Sequence, residues 1–368
     1  MTNFIHVVGA RPNFMKLAPL YNKIAVSSYT QKIIHTGQHY DAQMSDIFFE
    51  QLKIPQPDYH LGIGSATQTE QTAKAMIAIE QVLLNDKPQA VIVYGDVNST
   101  LAASLVCSKL LIPIVHVEAG LRSGDRTMPE EINRIITDRI STLLLTPSED
   151  ANKNLIDEGI PANQIYFVGN IMIDTLVESL KIINNHLIFT EKAQKVINSI
   201  NGESYILSTV HRPSNVDNSQ ALKKLFSVFF EIASDKHIIL PLHPRTKKQL
   251  EDLHILQDVP EKFHIIQPMG YFDFIHLQKN AFCVLTDSGG IQEETSYLNV
   301  PCLTLRANTE RPITIELGSN ELIGNDYNLL FEKMKEIASG DYKKAQTIPF
   351  WDGKTSDRIV SVLQSYFG

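Results

Sequence analysis

Short apolar segments alternate with helical patterns along this chain of 368 residues. In the first half, β-branched runs at 4–8, 90–94 and 114–117 are each followed by a turn and a stretch with helical spacing. Strands joined by helical crossovers pair in parallel and are buried on both faces. The alternation gives way to helical residues between about 170 and 198 and restarts with a strand at 205–209. The sequence therefore predicts an α/β protein with two similar doubly wound halves and a cleft between them.

The composition excludes several classes of protein. A net charge of −8 argues against a nucleic-acid partner, which requires a basic face. The three cysteines, Cys107, Cys283 and Cys302, lie far apart in or beside apolar runs, which predicts reduced core residues. No apolar run approaches the ~20 residues needed to cross a bilayer, and the first residues do not resemble a secretion signal. We expect no membrane partner and a cytoplasmic location.

Carboxylates follow two predicted strands where those strands end. Glu118 comes directly after the strand at 114–117, and Asp96 follows Gly95 after the strand at 90–94. Ligands bind at the carboxyl ends of strands in open parallel sheets. The alternative is that Asp96 merely caps the next helix, through Ser99 or Thr100 in its first turn.

A further acid lies at the entrance of the next predicted helix. Pro129 followed by Glu130 and Glu131 is a helix start, and Glu130 and Arg134 share one helix face. Neighbouring acids raise the pKa of one group, so that one can donate a proton while another accepts one. This arrangement favours proton transfer, and a solvated loop with a capping Glu is the alternative.

Two glycine-containing turns resemble anion sites. Arg11 lies in the turn 9–13 before the first predicted helix at 14–24, where backbone N–H groups at a helix start attract anions, and Lys16 lies in the second turn; an ordinary turn with a solvated Arg is the alternative. Ser288-Gly-Gly290 precedes a second such helix, in which Glu294 could reach a ribose diol. Neither turn is a nicotinamide fingerprint or a P-loop.

His211 and His243 each follow a predicted strand of the second half. Each could be a packed or hydrogen-bonded residue. Their spacing lacks the pattern of a zinc site, so no metal centre is predicted.

Together these segments resemble the non-hydrolysing UDP-N-acetylglucosamine 2-epimerases over essentially the whole chain. The matching segments are GARP at 9–12, TGQH at 36–39, GD at 95–96, HVEAGLRSGD at 116–125, PEEINR at 129–134, GN at 169–170, HR at 211–212, TDSGGIQEE at 286–294 and TERP at 309–312.

The resemblance implies a fold and the boundaries of its two domains. The family has two Rossmann-like domains facing a central cleft, as in GT-B glycosyltransferases, and a C-terminal helix that crosses back to the first domain. On this basis the N-terminal domain is expected at 1–169 together with helix 355–368, and the UDP-binding domain at 170–354. The family expectation for assembly is a homodimer.

The resemblance also implies roles for individual residues. The residues that match the family's catalytic groups are Asp96, Glu118, Glu130 and His211. The residues that match substrate-binding positions, or lie beside them, are Arg11, Lys16, Gln38, Arg134, His243, Tyr271, Phe272, Ser288, Gly289, Gly290, Glu294 and Arg311. Among these, the serine and glycines would hold the diphosphate, Glu294 the ribose, and Tyr271-Phe272 would lie in a uracil-binding loop.

The implied reaction inverts C2 of UDP-N-acetylglucosamine to give UDP-N-acetylmannosamine for cell-surface polysaccharide synthesis. UDP leaves and returns through a 2-acetamidoglucal, and no metal or redox cofactor is needed. Ser214 stands where a Glu is common, and the loop before Glu130 is short, so a related UDP-2-acetamido sugar is an alternative substrate. Rival activities are a hydrolysing epimerase that releases free N-acetylmannosamine, a glycosyltransferase and a silent nucleotide-sugar sensor.

Overall fold

The computed structural model describes residues 3–38, 52–185, 191–242 and 244–368. The chain divides into two compact units. Unit one comprises Met1–Glu178 together with Pro349–Gly368, and unit two comprises Ser179–Ile348. The predicted domain limits at 169 and 354 stay a prediction.

Unit one is built on a parallel seven-stranded sheet of order β3-β2-β1-β4-β5-β6-β7. Its strands are β1 Phe4–Val8, β2 Gln31–His35, β3 Tyr59–His60, β4 Ala90–Tyr94, β5 Ile114–Val117, β6 Leu143–Thr146 and β7 Ile165–Phe167. Its helices, numbered along the described residues, are α1 Arg11–Ala25, α2 Gln68–Asn85, α3 Asn98–Leu110, α4 Pro129–Ile140, α5 Glu149–Asp157 and α6 Ile171–Asn185, which continues into unit two.

The central strands of unit one are hydrophobic because both of their faces are covered. Every residue of β1, β4 and β5 is buried, and the side chains on one face of these strands pack with residues of α2 and α3; they are Ile5, Val7, Val91, Val93 and Ile114. Each such side chain contributes about 1.5–3 kcal/mol on full burial. This packing leaves the carboxyl ends of β4 and β5 side by side, which brings Asp96 and Glu118 to one edge of the sheet.

The second segment of unit one, Pro349–Gly368, packs on the first segment of the same unit. Helix α15, Thr355–Phe367, packs on α1, and Asp174 of α6 accepts the backbone N–H groups that begin α15. The Trp351 indole N–H donates to the carbonyl oxygen of Pro147 at 3.0 Å.

Unit two repeats the architecture with a parallel six-stranded sheet of order β10-β9-β8-β11-β12-β13. Its strands are β8 Tyr205–Thr209, β9 His237–Pro241, β10 Phe263–Ile266, β11 Cys283–Thr286, β12 Cys302–Thr304 and β13 Asn320–Leu322. Its helices are α7 Glu191–Ser199, α8 Pro213–Val216, α9 Ser219–Ile232, α10 Pro244–Asp252, α11 Tyr271–Lys279, α12 Gly289–Leu298, α13 Ile313–Glu316 and α14 Tyr327–Ser339. Both sheets contain the doubly wound 3-2-1-4-5-6 order, which confirms the predicted α/β class.

The structure differs from the sequence-based expectations at several helix starts. Arg11 is already the first residue of α1, and Gly289 and Gly290 are the first two residues of α12. Tyr271 and Phe272, expected in a loop, begin helix α11, because Ile275 and Leu277 on that helix are buried in the core.

The three cysteines are free and buried, as predicted. Within the described ranges, no helix is both long enough and apolar enough to span a bilayer.

Candidate active site

Glu118 occupies a strained position at the tip of β5. Its φ of +72° is in the left-handed region, which costs a residue with a side chain about 1–2 kcal/mol. The side chain is buried and forms an ion pair with Lys16 of α1. Strain of this kind persists where the surroundings impose it, which is common at functional sites.

Gly95 makes room for this ion pair. A Cβ built on Gly95 would lie 2.8 Å from Lys16 Nζ and 3.9 Å from Glu118 Oε1. Lys16 was expected to bind substrate from the first helix. The structure places its buried ammonium group against the Glu118 carboxylate, so the role of Lys16 includes holding that acid.

Asp96 is bound by a guanidinium group. Arg134 donates to Asp96 Oδ2 from Nη2 at 2.7 Å and from Nε at 3.0 Å. Helix α3 has Val97 at its N-cap, which makes no side-chain capping bond, and the capping role of Asp96 stays an alternative. Two of the predicted acids, Asp96 and Glu118, are thus each paired with a cation of unit one.

Glu131, rather than Glu130, is the partner of Arg134 on α4. Its carboxylate accepts from Arg134 Nη1 at 2.5 Å and from the backbone N–H groups of Ser123 at 3.0 Å and Gly124 at 2.9 Å. Glu130 is half-buried in the first turn of α4, where the helix dipole favours a carboxylate. In the part of the chain that the structure describes, no hydrogen bond or ion pair involves its carboxylate.

A buried histidine–carboxylate pair on β5 and α4 was not predicted. His116 Nδ1 lies 2.6 Å from Asp138 Oδ1, and His116 Nε2 lies 2.8 Å from the carbonyl oxygen of Gly95. Burial alone would raise the pKa of Asp138. Electrostatic attraction and hydrogen bonds with His116 and Arg122 instead hold the pKa of Asp138 below its ordinary value. Asp138 also accepts from the Gly120 N–H, so Asp138 and His116 together connect the turns that carry Asp96 and Glu118.

Gln38 lies at the same edge of the sheet. Its Oε1 accepts from the Ser99 backbone N–H at 3.1 Å and hydroxyl at 2.8 Å, and its backbone oxygen accepts from Gln71. The side chain therefore anchors the start of α3, and its predicted contact with substrate stays a prediction.

Unit two presents the N-terminus of α12 at the end of β11. Ser288 is the N-cap residue and makes no side-chain capping bond, so its hydroxyl does not satisfy the first-turn N–H groups. A Cβ on Gly289 would lie 2.9 Å from Glu310 Oε1 and 3.0 Å from Arg311 Cζ. Arg311 thus lies against the first turn of this helix, where it pairs with Glu293 at 2.7 Å.

Glu294 lies on the same helix. The hydroxyl of Tyr271 donates to Glu294 Oε1 at 2.8 Å, which connects α11 to α12. Burial, with a smaller contribution from the charge of Glu293, raises the pKa of Glu294 to about 7. Phe272 is buried beside Tyr271, with ring centroids 6.4 Å apart.

Most of the predicted site residues lie within the described part of the chain, and their assignment to the site stays a prediction. In unit one, Lys16, Gln38, Asp96, Glu118 and Arg134 lie at the carboxyl end of the sheet, and Glu130 lies in the first turn of α4. In unit two, the residues around α12 and the neighbouring loops are His211, Ser288, Gly289, Gly290, Glu294, Tyr271, Phe272 and Arg311. His243 and the side chain of Arg11 lie outside the described residues.

Comparison with known proteins decides the family. The sequence model of the UDP-N-acetylglucosamine 2-epimerase family matches residues 23–364. The chain belongs to this family. A UDP-N-acetylglucosamine 2-epimerase from Methanocaldococcus jannaschii is 46% identical over 97% of both chains. The predicted family, fold class and epimerase activity are thereby confirmed.

Two further comparisons bear on the sugar. The crystal structure of Methanocaldococcus jannaschii UDP-GlcNAc 2-epimerase, in complex with UDP-GlcNAc and UDP, has a TM-score of 0.90 and 46% identity, and the match covers 99% of this chain and 100% of that chain. A UDP-2,3-diacetamido-2,3-dideoxy-D-glucuronate 2-epimerase from Pseudomonas aeruginosa is 41% identical over 97% of this chain and 98% of its own length.

Proposed function

We propose that this epimerase interconverts UDP-N-acetylglucosamine (UDP-GlcNAc) and UDP-N-acetylmannosamine. The observation that carries the proposal is the strained, buried Glu118 paired with Lys16 at the tip of β5, in a chain of this family. A simple binding protein has no need of a strained carboxylate there, whereas proton transfer requires a positioned one.

The reaction is an elimination followed by a re-addition. One carboxylate accepts the proton from C2, the C1–O bond breaks, and its electron pair leaves with UDP, which gives 2-acetamidoglucal. UDP then adds back at C1, and an acid protonates C2 from the opposite face. Asp96, Glu118 and Glu130 supply the carboxyl groups, and His211 assists proton or charge transfer.

Stabilising the departing diphosphate lowers the barrier to elimination. Ser288 and the backbone N–H groups of Gly289 and Gly290 at the start of α12, with Arg311 beside them, are suited to a developing negative charge. Arg11 at the start of α1 would add a second cation.

The remaining substrate contacts follow the family pattern. Glu294 binds the ribose and Tyr271 and Phe272 contact the uracil, while Gln38, Arg134 and His243 contact the substrate elsewhere. This role for Glu294 requires that it exchange or share its bond with Tyr271 when the nucleotide binds.

The proposal also covers the compartment, the assembly and the biological role of the enzyme. It acts in the cytoplasm as a homodimer and supplies an activated amino sugar for cell-surface polysaccharide. It uses no metal or redox cofactor.

A proton NMR time course in D2O tests the chemistry. Carboxyl protons exchange with water much faster than turnover at about 1–10³ s⁻¹, so the epimerised product should carry deuterium at C2. The product should remain linked to UDP, and the starting sugar should gain deuterium as equilibrium approaches.

Each rival activity predicts a different spectrum. A hydrolysing epimerase gives labelled but free N-acetylmannosamine, and a glycosyltransferase leaves C2 unlabelled. An epimerised, UDP-linked product that retained its C2 proton would contradict the elimination.

A second substrate is favoured by one relative. The 41% identity to the Pseudomonas aeruginosa enzyme makes a UDP-2,3-diacetamido sugar acid the alternative. Measuring kcat/KM for the two UDP sugars in the same assay decides between them. A higher kcat/KM for the diacetamido uronate would identify that sugar, and not UDP-GlcNAc, as the substrate.

A further inference from the structure

Asp287 is a buried carboxylate at the carboxyl end of β11, directly before the Ser288-Gly289 segment. It accepts the backbone N–H of His211 at 3.0 Å, the backbone N–H of Arg212 at 2.9 Å and the side-chain amide of Asn215 at 3.0 Å. One side chain thus fixes the loop that follows the neighbouring strand β8. The loop could not keep this path without an acceptor at this position.

The same carboxylate contacts the imidazole ring of His211. Nδ1 lies 3.0 Å from Asp287 Oδ1, while 57% of the His211 side chain is exposed. An ionised carboxylate has no proton to donate, so a hydrogen bond between these two groups requires the proton to be on Nδ1. In the neutral ring, Nε2 then has the lone pair, and it lies on the side of the ring away from Nδ1.

Asp287 keeps its negative charge although it is buried. Burial would raise its pKa, but the hydrogen bond and charge of His211, the Arg212 N–H and the Asn215 amide hold the pKa below its ordinary value. The carboxylate therefore remains an acceptor for Nδ1–H at neutral pH.

We propose that Asp287 is a positioning residue that holds His211 as the Nδ1–H tautomer, with Nε2 directed to the substrate. This inference rests on the proposed function, because the need for a particular tautomer comes from the reaction. With Nε2 available, the neutral ring can accept a proton, and the protonated ring can donate one to an oxygen of the departing diphosphate. The neutral Nε2–H tautomer has no lone pair on Nε2 and could not accept a proton there in the same geometry.

The substitution Asp287→Asn is designed to reverse the tautomer. The introduced amide N–H can donate to Nδ1, which moves the ring proton to Nε2. An Asp-to-Asn change beside a catalytic histidine lowers kcat by about 10⁴ in serine proteases for this reason. Here we expect a fall in kcat of at least ~10², with a much smaller change in KM.

Asp174→Asn is the matched control. Asp174 is also a buried carboxylate; it accepts two backbone N–H groups, of Thr355 at 2.9 Å and Ser356 at 2.7 Å, and neither partner is an imidazole. Its substitution reproduces the general cost of losing a buried capping acid. We expect it to lower the melting temperature and to leave kcat and the His211 tautomer unchanged.

The tautomer is read directly from ring nitrogen shifts of the full chain labelled with ¹⁵N-histidine. The His211 signals are assigned by their absence in His211→Gln. At a pH where the ring is neutral, the wild type should show a protonated Nδ1 and a bare Nε2, and Asp287→Asn should show the reverse.

The results separate this inference from the proposed function. A wild-type ring protonated on Nε2 would overturn the inference, and this spectrum decides the matter even if Asp287→Asn does not fold. A folded Asp287→Asn protein with wild-type kcat would also overturn it. Failure of the epimerase proposal would appear elsewhere, as an unlabelled C2 in the wild-type D2O experiment.

Discussion

Replacing Gly120 by alanine should be far more harmful than the same change at Gly159. Both glycines have left-handed backbones, with φ of +83° and +78°. An alanine pays about 1–2 kcal/mol for that conformation, partly offset by about 0.4–1 kcal/mol from a less flexible unfolded chain. The conformational cost is therefore nearly equal in the two variants.

The surroundings of the two positions differ. A Cβ on Gly159 meets nothing within 4 Å, whereas a Cβ on Gly120 would lie 2.9 Å from the carbonyl carbon of Ala151 and closer still to its oxygen. The clashing atoms are backbone of α5, so the strand tip or the helix must move. Overpacking of this kind costs about 1–3 kcal/mol, which is the expected difference in unfolding free energy between the variants.

Thermal melting followed by circular dichroism measures this difference. At about 2–4 °C per kcal/mol, Gly120→Ala should melt about 2–12 °C below Gly159→Ala. Gly120 lies two residues after Glu118, so Gly120→Ala should also lose turnover, and Gly159→Ala should keep it. Equal melting temperatures and equal turnover would refute the view that a close backbone contact sets the position of Glu118.

Three further predictions follow from the site. Glu118→Gln and Glu130→Gln should each lower turnover by at least ~10² and retain UDP binding by calorimetry, and near-normal turnover in both would contradict their assignment. Arg11→Ala should weaken UDP binding through loss of a charge-assisted contact of about 1.5–3 kcal/mol, and an unchanged calorimetric affinity would exclude that contact. Burial raises the pKa of Glu294 from 4.5 to about 7, so the folded protein holds this proton where the unfolded chain releases it. The contribution of this group to stability is therefore highest at low pH and falls between about pH 4.5 and 7. In urea unfolding, the free energy of unfolding of Glu294→Gln should rise relative to that of the wild type from pH 5 to pH 8, and a constant difference would disprove the shift.

The sheets were predictable from sequence because their signals are local. The apolar runs at 4–8 and 90–94 became β1 and β4 with unchanged limits. Asp96 and Glu118 could be placed at one edge because parallel strands end together. Helix α11 was missed because an aromatic-rich start without a capping side chain resembles a loop.

The contacts within the site depended on tertiary structure. Helical spacing placed Lys16 near a predicted anion site, but its partner Glu118 is 102 residues later, and only the pairing of strands brings them together. The left-handed backbone of Glu118 has no sequence signal, since the usual signals are glycine and asparagine. Asp287 was visible in its motif, but its bond to His211 depends on β8 and β11 being neighbours.

Because unit one consists of two segments of the chain, the two units become complete at different times during translation. All of Ser179–Ile348 is translated between the sheet of unit one and the helix α15 that packs on α1. Domains fold as units while a chain emerges from the ribosome, so unit two has its full sequence before unit one does. Until then, Asp174 lacks the N–H groups of α15, and the Pro147 carbonyl lacks the Trp351 indole. The unit that carries the proposed acids is thus the first to be started by the ribosome and the last to be completed.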